Sequence, residues 1–74
     1  MEFRNFEIYI KYYSEFKKFY DENIGELHSK SVDYSFNKFI SSKDFGIICL
    51  SWFGNRYKVV EEKKWTLAKI KYVL

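Results

Sequence analysis

From Phe3 to Leu27 apolar residues recur every three or four positions, at Phe3, Phe6, Tyr9, Ile10, Tyr13, Phe16, Tyr20, Ile24 and Leu27. That spacing is one face of a helix, so it predicts a long amphipathic N-terminal helix of about six or seven turns. A bend is expected near Gly25, because glycine costs about 1 kcal/mol against alanine in a helix interior. Ile8, Tyr12 and Phe19 fall beside the stripe, which widens the apolar arc to about 200° and leaves Arg4, Glu7, Lys11, Ser14, Glu15, Lys18 and Glu22 as the polar face. One sheet covers a narrower arc than that. Ile8, Tyr12 and Phe19 are therefore expected to bind a protein partner, either a second copy or another protein. The competing expectation is that residues 28–44 fold back over these three and bury them.

Residues 28–44 carry two periodicities. Val32, Phe36, Phe39 and Ile40 fit a short second helix started by Ser29 or Ser31, while Ser31 to Asn37 also alternates as a strand would. The helix is preferred because the adjacent pair Phe39 and Ile40 continues helical spacing and breaks the alternation. Further on, Phe45 to Phe53 is a short run rich in strand formers, Gly54 and Asn55 supply a turn, and Arg56 to Glu62 alternates again. This predicts a hairpin with strands at 46–53 and 56–61. Residues 65–73 alternate too, with Thr66, Ala68, Ile70 and Tyr72 on one face and Trp65, Leu67, Lys69 and Lys71 on the other, which predicts a third strand. The expected fold class is α+β: the long helix and the short second one packed on a three-stranded antiparallel β-meander, in a single domain spanning 1–74.

Composition sharpens this picture. The chain has 74 residues and no proline, and 23% of it is aromatic, which excludes a disordered chain. The lone Cys49 lies in an apolar run, as a small buried hydrophobe would, and a reducing, cytoplasmic location is expected. The longest run without a charge, from Phe45 to Asn55, is about half of the roughly 20 residues a membrane span needs, so no membrane role is expected. The net charge of +3 is uneven: residues 1–30 hold five Lys/Arg against six Asp/Glu, and residues 31–74 hold eight against four. The C-terminal half is the basic one.

Chemistry can be tested by inventory. His28 is the one histidine, Cys49 stands in another element, and the acidic neighbours Asp21 with Glu22 and Glu61 with Glu62 point apart on any regular backbone. Neither an acid/base pair nor a zinc ligand set is present in the spacing, and the scattered Gly25, Gly46 and Gly54 form no phosphate-binding loop. The expectation is a protein that is not an enzyme, with no metal, no cofactor and no small-molecule substrate. In strand register, Arg56 and Lys58 share a face with Lys69 and Lys71, beside Trp65 and next to Lys63 and Lys64. Cations around an exposed ring suit a phosphate-tracking, base-stacking surface, and they equally suit a sheet face kept soluble by lysine.

The order of elements from Phe36 to Val60 resembles that of the small RNA-targeting toxins of the HicA type, over about a third of the chain. That family carries a histidine in the hairpin, where this chain has Phe53, Gly54, Asn55 and Arg56, so the resemblance does not carry nuclease activity with it. In size, aromatic density and lack of catalytic groups the chain is similar in style to small phage and mobile-element inhibitors, anti-CRISPR proteins among them. The resemblance implies a protein that blocks a partner complex by covering a surface. The alternative is a nucleic-acid binder that uses the basic sheet face.

Overall fold

In a computed structural model describing residues 1–74, the elements run β1 (Glu2–Arg4), α1 (Phe6–Glu22), α2 (Ile24–Leu27), α3 (Val32–Lys43), β2 (Ile47–Ser51), β3 (Arg56–Val59) and α4 (Glu62–Tyr72). This is an α+β fold with a long N-terminal helix and a three-stranded antiparallel sheet. Asn5 decides where α1 begins. Its side-chain oxygen accepts from the backbone N–H groups of Glu7 (3.0 Å) and Ile8 (3.3 Å), two of the donors a helix start leaves unpaired. Phe3 is thereby left outside the helix, in an extended segment. The other end comes at Asn23 rather than Gly25: the Asn23 amide donates to the Phe19 carbonyl at 2.9 Å, and only the short α2 follows. With 17 residues, α1 has about five turns rather than six or seven.

Residues 28–44 do form a helix. Ser31 caps α3 by accepting from the Tyr34 N–H at 3.1 Å, and Phe36, Phe39 and Ile40 point into the core. The hairpin also forms, with shorter strands than expected and a four-residue turn, Trp52 to Asn55, whose Asn55 takes the left-handed conformation at φ +52°.

Residues 65–73 overturn the expected meander, because they lie in α4 and its C-terminal cap. Their alternation coincided with a helical set, Trp65, Ala68 and Tyr72, and tertiary packing chose the latter by burying Trp65 and Ala68. Glu62, Lys63, Lys64, Leu67 and Ala68 are also strong helix formers, with the acid in the first turn and Lys69 and Lys71 in the last, where they suit the helix dipole. Gly46 permits α4 to sit where it does. At φ +73° it brings its backbone so close that a Cβ would stand 2.5 Å from the Glu61 carbonyl and 2.8 Å from Lys64 Cβ.

The third strand is β1. The sheet order is β1-β3-β2, with Phe3 opposite Tyr57, Arg4 opposite Arg56 and Cys49 opposite Tyr57. One sheet face, carrying Phe3, Ile47, Cys49 and Tyr57, joins Ile8, Tyr12 and Phe16 of α1, the aromatics of α3 and Trp65 of α4 in one core. The opposite face, Glu2, Arg4, Ile48, Leu50, Arg56 and Lys58, is exposed throughout. The free edge of β2 is occupied by side chains of α3. Asn37 donates to the Cys49 carbonyl (2.8 Å) and accepts from its N–H (2.6 Å), and one turn earlier Asp33 accepts from the Trp52 N–H (2.7 Å). An edge engaged in this way at its centre is a poor template for another strand.

Candidate protein-contact surface

The structure rotates the buried side of α1, keeping Phe16 of the expected stripe in the core and bringing the residues beside that stripe inward. Ile8 is fully buried, Tyr12 is buried, and Phe19 is half-buried against Phe39 at 5.6 Å between ring centroids. The expected contact residues thus belong to the core, because α3 folds back over that side of α1 and the sheet covers the rest. Three of the residues expected to face the sheet come to the surface instead: Phe6, Ile10 and Tyr13 are exposed, Ile10 by 61%.

These residues continue into the hairpin turn. Asn5 donates its N–H to the Asn55 carbonyl at 3.1 Å, which pins the start of α1 to the turn and sets Phe6 beside Trp52 and Phe53. Within the turn, the Asn55 N–H returns to the Trp52 carbonyl (3.2 Å) and the Gly54 N–H reaches Ser51 Oγ (3.2 Å). The backbone that carries the rings is therefore held by the sheet on one side and by Asp33 on the other.

The rings form a continuous chain. Phe6 meets Tyr9 at 5.8 Å, Tyr9 meets Tyr13 at 5.5 Å and the edge of Trp52 at 5.1 Å, and Trp52 meets Phe53 at 4.9 Å. These separations lie in the range where aromatic pairs attract beyond their buried area. Trp52 also touches Phe16 at 6.4 Å, so the surface rings are braced directly on the core. Phe6, Tyr9, Trp52, Phe53 and Asn55 line a shallow open groove, and Phe53 at its rim is 81% exposed. Trp52 Nε1 and Asn55 Oδ1, one donor and one acceptor beside this groove, have no hydrogen-bond partner in the chain. An unpaired shielded polar group costs about 1–3 kcal/mol.

The expected basic face is divided. Arg56 and Lys58 lie on the open sheet face, whereas Lys63, Lys64, Lys69 and Lys71 belong to α4. Trp65 is no surface ring: it is 5% exposed and stacks on Phe3 at 5.1 Å, with Lys69 Nζ 5.9 Å from its centroid. Lys64 is paired with Asp44 (2.9 Å) and Glu61 (3.2 Å), and hydrogen bonds to these two carboxylates raise its pKa. Lys71 lies over Tyr72, and Lys63 is exposed at the start of α4.

The reactive side chains stand apart from all of this. Burial pushes the Cys49 thiol up to about 11, with the nearby Asp33 charge adding to the effect, so at neutral pH it is an inert thiol in the core. His28 Nδ1 lies 2.9 Å from the Ile24 carbonyl at the end of α2, on the surface. No three His, Cys, Asp or Glu side chains converge, and no helix is long and apolar enough to cross a membrane.

Neither the Asn55-to-Asn5 tie nor the convergence of Phe6 with Phe53 is signalled by sequence, since 47 positions separate the two rings. Comparison with protein-family models, with curated proteins and with solved structures found no match.

Proposed function

We propose that this chain is a non-enzymatic binding protein that inhibits or modulates a partner protein complex by covering part of its surface, and that Phe6, Ile10, Tyr13, Trp52 and Phe53 make the contact. One observation carries the reading: aromatic side chains of two distant segments meet at the surface through Tyr9 and Trp52, with exposed Ile10 on the same helix and Phe53 outermost at 81% exposure. Contiguous exposed apolar patches on small proteins mark interaction sites, and aromatic anchors braced on a core contribute most to such interfaces. The inhibitory character follows the style of small phage and mobile-element inhibitors, and the partner is expected to be cytoplasmic.

The test is capture from lysate by the tagged protein, compared with the Ile10→Asp and Phe53→Asp variants, with each thermal midpoint measured in parallel. Loss of specific partners in both variants at an unchanged midpoint supports the reading. Retention of every captured partner by both variants would sink it.

A further inference from the structure

We infer that the open face of the sheet is a binding site for single-stranded nucleic acid, with Arg4, Arg56 and Lys58 holding the phosphate backbone. Three cations stand on this face against one carboxylate, Glu2. Arg4 and Arg56 are direct cross-strand partners, and Lys58 lies two residues along β3 from Arg56, on the same side of the pleat. Like charges directly opposite each other oppose strand pairing, so this placement costs the bare fold and is relieved by an anion lying across it. Glu2 answers only part of the charge. Its carboxylate pairs with Arg56 at 2.9 Å, and neither Arg4 nor Lys58 has an ion-pair partner in the chain.

Two further observations favour a single strand over other polyanions. The face is completed by the exposed aliphatic side chains Ile48 and Leu50, which present flat apolar surface beside the cations. Phe53, three residues before Arg56 in the turn that leads into β3, is 81% exposed and offers a ring on which an unpaired base stacks. A duplex keeps its bases inside and would leave these apolar groups unused. An acidic peptide strand added to the sheet would bind an edge rather than this face, and of the two edges β2 is engaged by Asn37 and Asp33 while β1 is only three residues long. The site shares Phe53 with the aromatic groove, but its phosphate contacts, Arg4, Arg56 and Lys58, lie outside that groove and are tested separately.

The experiment is fluorescence anisotropy with labelled twelve-nucleotide single-stranded RNA and DNA, the matching duplexes and an oligoglutamate peptide, in roughly 50 to 200 mM salt. Three phosphate contacts predict that single-strand affinity falls about twentyfold across that range, from a slope of about −0.7 per phosphate. Arg4→Glu should abolish binding while leaving the thermal midpoint unchanged or higher, since it replaces the like-charged opposition with an ion pair to Arg56. Lys18→Glu makes the same change in net charge on the exposed side of α1 and should keep affinity within about twofold, as expected when the phosphate contacts are local. Four results would overturn the inference: no single-strand binding at low salt, equal loss in both variants, duplex bound as tightly as single strands, or oligoglutamate bound as tightly as nucleic acid.

Discussion

Ile8 and Ile10 are two residues apart on one helix, yet Ile8 is fully buried and Ile10 is 61% exposed. The same contrast runs along α1. Ile8, Tyr12, Phe16 and Phe19 pack into the core or against it, while Phe6, Ile10 and Tyr13 face outward with residues no less apolar. An aromatic helix face is thus no guarantee of burial. What separates the two stripes is coverage: α3 and the inner sheet face meet the first, and nothing in the chain crosses the second beyond Trp52 and Phe53. A small domain that leaves such a face bare forgoes stability it would gain from closing over it, at roughly 25 cal/mol per Å² of apolar area.

The largest test of this contrast is truncation on each side. Ile8→Ala should destabilise the fold by about 2–5 kcal/mol, whereas Ile10→Ala should stay within about 0.5 kcal/mol, both read from urea unfolding. Similar losses at the two sites would break the comparison. A smaller effect of opposite sign is expected at Tyr12, whose hydroxyl is buried without a partner. Tyr12→Phe should stabilise by about 1 kcal/mol and Tyr13→Phe should change little.

The buried side also has an alkaline signature. Burial raises the pKa of Tyr12 and of Tyr57 from the ordinary 10.0, and raises Cys49 from 9.0 to about 11. In each case folding favours the neutral form, so the stability is fully present below the unfolded pKa and is lost as the pH rises through the folded one. The thermal midpoint should fall between about pH 9 and 11, and Cys49→Ala should delay that fall to above about pH 10, where the tyrosines remain. A profile identical in the two proteins would count against the burial of Cys49. The smallest effect lies at the margin between the faces, where Glu15 pairs with Lys43 at 2.6 Å. Glu15→Gln should cost less than about 1 kcal/mol, and the difference should shrink in high salt.

Much of the local structure was legible. The helical period of α1, the preference of residues 32–43 for helix, the hairpin around Gly54 and the burial of Cys49 all follow from patterns within a few residues. Residues 65–73 misled because a charged, short segment satisfies two periods at once, and local alternation cannot say which set of side chains finds a partner. The capping role of Asn5 was missed for a related reason: a long apolar stripe beginning at Phe3 outweighed the one residue able to start the helix after it.

By itself, then, the sequence determined the class of the fold, the aromatic wealth of its core and the excess of cations in its second half, because these depend on composition and near-neighbour spacing. Only the tertiary structure decided which stripe of α1 is buried, that Glu2–Arg4 and not residues 65–73 complete the sheet, and that Arg4 stands opposite Arg56. The physical reason is the same in each case. A side chain's burial depends on what crosses it from distant parts of the chain, and hydrophobic attraction carries no direction to announce the choice.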